Sequence, residues 1–339
     1  MSTEATDAPL IDVENLSVVI DRDEGVVRPL NGVSFRIDAG QAVGIVGESG
    51  CGKTMTSNAL LRILPPGAKI TSGHIRYRRK LDEQVVDLAT IDSGSAEMRQ
   101  IRGGDISMIF QEPMTAFSPV HTIHNQIAEM IQLHDPMDDQ AARRRVVELL
   151  DLVGISGPDE RADDYAFQLS GGMRQRAMIA MALASKPRLL IADEPTTALD
   201  VTVQARVLKL IQRLQRELGL ALMLITHDLG VIAHTVEYVY VMYLGQVIEE
   251  GPVVEIFDNP AHPYTQALLH SIPSLTNKDK RLEPIEGSVP SAFALPTGCP
   301  FHTRCTKQVG DKCKRQMPAH VEVSKGHYAS CFIHTEEGS

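Results

Sequence analysis

The sequence predicts an α/β fold: a parallel sheet flanked by helices, a small antiparallel sheet beside it, a helical subdomain inserted midway, and a C-terminal accessory region. Three observations carry this. The apolar run AVGIV at 42–46 leads into GESGCGKT at 47–54, and the helical pattern KTMTSNALLRIL then stops at Pro65-Pro66. Next, RLLIAD at 188–193 and LALMLIT at 220–226 read as buried strands. Between them lies the amphipathic helix VTVQARVLKLIQRLQREL, ending at Gly219. Strands alternating with helices imply a parallel sheet with helices packed on it. Finally, the short β-branched or alternating segments IDVENLSVVI, GVSFRI and SGHIRYRR, within residues 10–40 and 72–91, predict the antiparallel sheet.

Between about 112 and 186 the pattern turns helical: NQIAEMIQL and AARRRVVELLDLVGI space apolar residues three and four apart, with Gly154 as a stop. The short strands EYVYVMY and GQVIEEG close the core near 251. Beyond them Pro252, Pro260, Pro263, Pro273, Pro284, Pro290 and Pro296 punctuate a linker and accessory region. The expected domains are therefore 1–251, with its helical subdomain at about 112–186, and 252–339. No internal repeat is visible.

At 339 residues and 37.1 kDa, one large core and an appendage are affordable. A formal charge of -10 and a pI near 5.6 argue against a nucleic-acid partner, whose phosphates demand a basic surface. RYRRK at 76–80 and Arg143-Arg144-Arg145 read as a solvated strand edge and helix face. The polar, acidic start MSTEATDAPLIDVENL does not resemble a signal peptide, and the longest apolar run, AMIAMALA at 177–184, is far short of the roughly 18 residues of a membrane span. A cytoplasmic chain without a transmembrane segment is expected, and its five cysteines are then not disulfides.

GESGCGKT satisfies G-x-x-x-x-G-K-[ST] with the strand before it and the helix after it that phosphate chemistry needs. Gly47, Gly50 and Gly52 permit the tight bend that turns successive N–H groups inward, and a helix beginning near Lys53 points its positive end at an anion. Lys53 is positioned to neutralise β- and γ-phosphates and Thr54 to offer its hydroxyl to Mg²⁺. Asp193-Glu194 closes a strand where α/β folds bind ligands; Asp193 suits Mg²⁺ and Glu194 an attacking water. In LSGGMRQR at 169–176, Ser170 is a good N-cap. The two glycines after it cost roughly 1 kcal/mol each in a helix, so fold stability alone does not account for them. A second phosphate contact at this helix N-terminus does. Two chains set head to tail would each lend LSGGM to the other's nucleotide.

With these motifs the sequence resembles an ATP-binding cassette (ABC) ATPase, a P-loop NTPase. The resemblance implies ATP and Mg²⁺ as ligands and extends residue by residue. Gly47, Glu48, Ser49, Gly50, Cys51, Gly52, Lys53, Thr54 and Met55 match the nucleotide loop. Gln111 in IFQEP matches the Q-loop, joining Thr54 and Asp193 at Mg²⁺. Asp200 in TTALD matches the D-loop, His227 in ITHD the switch histidine, and Glu194 the catalytic carboxylate. Ser170, Gly171, Gly172, Met173 and Asp200 are the expected contacts in trans. Where many members stack adenine on an aromatic ring, this chain has Ile20, with Arg28 nearby.

The cassette motifs leave the purpose of hydrolysis open among a membrane importer, an exporter, and a soluble ATPase of nucleic-acid metabolism. No long coiled coil or second phosphate loop interrupts the chain, and no membrane span is fused to it. FDNPAHPYTQALLHSIP at 257–273 and GCPFHTRC at 298–305, with Cys313 and Cys331, are similar to the C-terminal extension of the dipeptide, oligopeptide and nickel importer family. That resemblance implies two transmembrane permeases, a second ATPase that is a paralogue or another copy, and an extracytoplasmic substrate-binding protein. It places the chain peripherally at the cytoplasmic face of the membrane. Di- or oligopeptides are the expected cargo, with oligosaccharides, opines or nickel as alternatives. Cys299, Cys305, Cys313 and Cys331 are separated by five, seven and seventeen residues. Free thiols, a Cys₄ zinc site and a [4Fe–4S] cluster compete; the absence of a C-x₂-C pair counts against zinc, members of the family that the tail resembles can carry the cluster there, and a [4Fe–4S] cluster in a structural or docking role is expected, with Zn²⁺ as the alternative.

Overall fold

The computed structural model describes residues 8–197, 199–271 and 285–335. Ala198 of TTALD, Pro273, Pro284 and the outer ends of the two expected domains lie outside the described residues. The chain forms two compact units, each built from separated stretches. One comprises the described residues through Leu10, Ile37–Ala42 and Tyr77–Leu224; the other comprises Ile11–Arg36, Val43–Arg76 and the chain from Ile225.

In the first unit the strand Ile106–Ile109 runs parallel to Leu189–Asp193, in the register Ile106 to Leu189 and Ile109 to Ala192. Every residue of Leu189–Asp193 is buried, which explains an apolar run without alternation: a parallel strand covered on both faces has no wet side. The helices Ile123–His134, Asp139–Leu152 and Val201–Leu218 start at Thr122, Asp138 and Asp200, whose side-chain oxygens accept the N–H of Asn125, Ala141 and Val203. Val207, Leu208, Leu210, Ile211 and Leu214 form the buried stripe of Val201–Leu218, and Gly219, at φ 64°, ends it in the left-handed region. The basic clusters are neutralised locally: Arg79 pairs with Asp82 and Glu97, and Arg143 with Asp159 and Asp163.

In the second unit the antiparallel sheet sets Ile11–Arg22 between Gly25–Ile37 and Ala68–Arg78. The other sheet pairs Ala42–Val46 in parallel with Tyr238–Tyr243, which in turn pairs antiparallel with Gln246–Pro252. Gly44 sits under the helix Leu229–Thr235: a Cβ there would stand 2.7 Å from Ile232 Cδ1 and 3.2 Å from Val236 Cγ2, so helix and strand meet at a position only glycine leaves open.

The C-terminal region departs from the sequence expectation of a proline-punctuated appendage. His327–Ala329 adds to the edge of Gln246–Pro252, pairing Ala329 with Glu249 and Tyr328 with Glu250, and Val321–Ser324 adds beyond it. These strands are three and four residues long, too short to show a period in the sequence.

The same edge buries a polar cluster. Glu249 is fully buried; its carboxylate accepts the N–H of Ala261 (2.7 Å) and of His262 (2.8 Å) and faces His327 Nε2 at 2.8 Å. His262, 1% exposed, caps the helix Pro263–His270 by accepting the Tyr264 N–H at Nδ1 (3.0 Å). HPYT is thus a helix start: His262 caps, Pro263 occupies the first turn where no N–H is needed, and Tyr264 is buried.

Burial lowers the His262 pKa from 6.5 to about 4, partly opposed by the Glu249 carboxylate and reinforced by His334. Between those values the unfolded chain takes up a proton that the folded chain refuses, so stability falls as pH drops through that window and is level above it. Protonation also removes the Nδ1 lone pair that caps the helix. Burial pushes the Glu249 carboxyl up, but hydrogen bonds from His327 and from the Ala261 and His262 amides outweigh it and hold the group below its ordinary 4.5, so its contribution is lost in the same direction at lower pH. His262→Asn, which keeps an acceptor but does not titrate, should lose stability less steeply on acidification from pH 6.5 toward 4. The wild-type excess should approach ~1 kcal/mol per pH unit in urea-unfolding midpoints of the full chain. Equal slopes would remove His262 from the titration.

Candidate functional site: the phosphate loop and its partner motifs

The loop after Ala42–Val46 has the bend the sequence required. Gly47 (φ 152°) lies against the Met242 carbonyl, where a Cβ would approach to 2.2 Å; Gly52 (φ 107°) lies against the Pro29 carbonyl, where it would approach to 2.4 Å. The helix Lys53–Leu60 begins directly after Gly52. Lys53 is buried, and its Nζ donates to the Gly47 carbonyl (2.8 Å) and the Glu48 carbonyl (3.1 Å), which holds the cation against the loop's own backbone. Gly245 N–H donates to the Cys51 carbonyl (2.9 Å). Ser49, Gly50 and Thr54 are exposed, Met55 is half-buried, and Cys51 is buried, its thiol pushed up by burial against the opposing pull of Lys53.

Two residues outside the loop grip Glu48, and the sequence reading assigned neither a role. Arg304, its side chain 3% exposed, donates to both carboxylate oxygens of Glu48 (2.6 and 3.1 Å). The Tyr264 hydroxyl accepts the Glu48 N–H (2.9 Å), and its ring packs 4.7 Å from Tyr243 and 5.3 Å from Phe301. The Glu48 contact, against the cost of burial, raises the Arg304 pKa further, and burial raises that of Tyr264. The sequence signals were present in HPYT and in the Arg304-Cys305 step, but no local pattern joins residue 48 to 264 or 304.

Elsewhere in this unit Ile20 is only 8% exposed, on Ile11–Arg22, while Arg28 is exposed on the adjoining strand. His227 is exposed. Thr226 before it donates its N–H to the Ile45 carbonyl (3.2 Å), and Asp228 after it caps Leu229–Thr235.

In the first unit the structure brings Gln111 and Glu194 together: Gln111 Nε2 donates to Glu194 Oε2 (3.1 Å), as does Thr197 Oγ1 (3.0 Å). Glu194 follows Leu189–Asp193 with φ +46°, a left-handed backbone that costs a side-chain-bearing residue of order 1 kcal/mol or more and recurs where function fixes geometry. Asp193 is 2% exposed at the strand's end.

Ser170 caps the helix Gly171–Leu183, accepting the Met173 N–H at 3.3 Å, and both Ser170 and Gly171 are exposed. Gly172 has a packing contact as well as its place in the motif. A Cβ there would stand 3.0 Å from Val203 Cγ1, so packing against the helix Val201–Leu218 already disfavours a side chain. Gly171, with its nearest neighbour 3.9 Å from a Cβ, has no such packing contact. Asp200 is exposed and engaged as the cap of Val201–Leu218.

The four C-terminal cysteines are free, with Cys299, Cys313 and Cys331 buried and Cys305 half-buried. Burial pushes the Cys299 thiol up to about 11; the Phe301 N–H opposes this, and the charges of Cys331, Cys305 and Cys313 add to it. Backbone N–H groups point at the sulfurs, Lys307 N to Cys305 Sγ (3.4 Å) and Val309 N to Cys313 Sγ (3.3 Å). The donor chemistry of four thiols suits a thiophilic metal. Among the described residues no group of three or more His, Cys, Asp or Glu side chains is disposed to hold a metal ion.

Comparison with known proteins agrees with these motifs. Residues 30–197 match the family model for ABC transporters, and residues 248–313 match that for the oligopeptide/dipeptide transporter C-terminal region. A probable peptide ABC transporter ATP-binding protein of Sinorhizobium fredii is 45% identical, with 96% of both chains covered. The dipeptide transport ATP-binding protein DppD of Bacillus subtilis is 46% identical over 96% of this chain and 94% of that protein. Among solved structures, the ATP-binding cassette MJ0796, a dimer bound to ADP and Pi, superposes with a TM-score of 0.62 at 26% identity, covering 72% of this chain and 98% of that one. With a phosphate loop, a carboxylate-ended strand and two family matches on one polypeptide, and relatives this similar over almost its full length, the chain belongs to the ABC transporter family as an ATP-hydrolysing cassette subunit.

Proposed function

We propose that this chain powers the import of di- or oligopeptides across a membrane. The observation that carries the reading is the pairing, in one chain, of the cassette with a tail matching the oligopeptide/dipeptide transporter C-terminal region. Residues 1–251 act as the ATPase domain, its helical subdomain at about 112–186, and 252–339 as an extension. The chain works with two permeases, a substrate-binding protein outside the membrane and a second ATPase, and does not act on nucleic acid, in keeping with its charge of -10. Among the described residues no helix is long and apolar enough to cross a membrane, which fits a peripheral subunit at the cytoplasmic face.

In this reading the loop from Gly47 to Met55 holds the nucleotide phosphates, Lys53 neutralises them, and the surface around Ile20 and Arg28 receives the base. Thr54, Gln111 and Asp193, hard oxygen donors, suit Mg²⁺, which when bound neutralises phosphate charge. Glu194, oriented by Gln111 and Thr197, positions and deprotonates the attacking water, and His227 contacts the γ-phosphate. Ser170, Gly171, Gly172, Met173 and Asp200 reach a nucleotide held by the partner ATPase. Gln111 reports the state of the γ-phosphate to the helical subdomain.

Glu194→Gln should cut steady-state ATP hydrolysis by roughly 100-fold or more in an assembly carrying it at every site, yet retain ATP binding, because size and hydrogen bonding survive and the base does not. Lys53→Ala should instead lose affinity. Activity per chain should vanish on dilution to species that sediment as monomers. Undiminished turnover by Glu194→Gln would remove its role, and full monomer activity would remove the contacts in trans.

The cargo reading is checked by reconstituting the chain with its permeases and binding protein in vesicles. Peptides of two to several residues, as named for the relatives, should stimulate ATP hydrolysis; stimulation by nickel or an oligosaccharide in their place would reassign the cargo.

The finer reading of Cys299, Cys305, Cys313 and Cys331 is a [4Fe–4S] cluster, with Zn²⁺ as the rival. It is supported by the burial of Cys299, Cys313 and Cys331 and by the N–H groups aimed at sulfur. Chain purified without oxygen should hold about four irons and be brown; stoichiometric zinc, or no metal at all, would overturn it.

A further inference from the structure

We infer that Arg304 and Tyr264, both in the C-terminal region, are positioning residues for the phosphate loop, so that the tail sets the affinity of the site for nucleoside triphosphate. The inference rests on the assignment of GESGCGKT as that site.

Glu48 is the point of leverage. Its carboxylate is doubly bound by Arg304, its N–H by the Tyr264 hydroxyl, and its carbonyl by Lys53 Nζ and, at 3.3 Å, by the Cys51 N–H. One residue therefore links the tail to the loop's bend and to its cation.

Arg304 is itself over-determined. Besides Glu48 it donates to the carbonyls of Glu286 (3.1 Å) and Ile285 (3.2 Å), and its guanidinium lies 5.9 Å from the Tyr243 ring centre and 6.0 Å from that of Phe301. A planar fork held on so many sides can move only with the segment Cys299–Cys305 that carries it. Tyr264 is fixed as firmly, by full burial and by the cap that His262 places on its helix.

Chemistry supplies the reason for such a grip. A carboxylate in the second position of a phosphate-binding loop repels the ligand the loop serves. Bidentate pairing with a buried guanidinium cancels that charge and turns the side chain toward the tail. Without Arg304 the Glu48 charge returns and the loop loses a fixed point, and both effects weaken phosphate binding. The contribution acts before chemistry, on binding, because neither Arg304 nor Tyr264 supplies a group to the reacting atoms.

Equilibrium binding of ATP to the full chain, with KM and kcat in the assembled transporter, tests this. Arg304→Met should raise Kd and KM for ATP roughly 5-fold or more with kcat little changed. Arg304→Lys should recover only part of the loss, since an ammonium cannot pair both oxygens. In Glu48→Gln, adding Arg304→Met should shift Kd less than about 2-fold, the non-additivity expected when one residue acts through the other. Tyr264→Phe keeps the packed ring and removes only the acceptor of the Glu48 N–H. It should weaken ATP binding measurably with an unchanged thermal midpoint, and it decides the matter should Arg304→Met fail to fold. If Lys53→Ala loses ATP while folded Arg304→Met and Tyr264→Phe bind it like wild type, the inference is wrong and the site assignment stands. If wild type itself does not bind ATP, the site assignment fails first.

Discussion

A loop that must present N–H groups to phosphate can spare few of them to hold its own shape, and the second unit is built around that constraint. The loop is secured by its carbonyls and by Glu48. Lys53 binds the carbonyls of Gly47 and Glu48, Gly245 binds that of Cys51, and Arg304 and Tyr264 fasten Glu48. Glycines stand where neighbouring carbonyls press closest, Met242 against Gly47 and Pro29 against Gly52. The strand beneath is wholly buried, and the helix Leu229–Thr235 closes onto it over Gly44, so the base of the loop has little freedom to shift.

The C-terminal region takes part in that support through polar contacts in the interior. Glu249 collects the N–H groups of Ala261 and His262 and the ring of His327, and His262 in turn caps the helix that carries Tyr264. An unpaired carboxylate there would be costly; satisfied by three donors, it specifies one docking of helix and edge strand. The aromatic group Tyr243, Tyr264 and Phe301 fills the space beside it, edge against face, and supplies the walls between which Arg304 is held.

In the first unit Glu194, the residue that the family resemblance assigns to water activation, is one of three side-chain-bearing residues with a left-handed backbone, beside Glu83 and Lys186. Glu194 keeps a left-handed backbone, and its carboxylate is fixed by Gln111 and Thr197. A side chain so oriented loses little further freedom when a reaction demands one geometry. The Gln111 amide that holds it belongs to the segment leading from Ile106–Ile109 into the helix Pro113–Ala116.

What the sequence determined by itself was everything encoded within a few residues of itself. Buried strands were legible as unbroken apolar runs at 42–46 and 189–193, the helix Val201–Leu218 by its stripe and its Asp200 and Gly219 ends, and the phosphate loop by the order strand, glycines, lysine, helix. Local chemistry dictates these, since period, caps and left-handed turns are properties of neighbours in the chain. Only the tertiary structure decided what residues far apart do to one another. It placed Arg304 and Tyr264 on Glu48 across 256 and 216 positions, added two strands too short to carry a period, and gave Gly172 a packing reason in Val203. It also buried Cys299, Cys313 and Cys331, which spacing alone does not dictate. Such pairings depend on where folding carries each segment, and neither periodicity nor spacing along the chain records that destination.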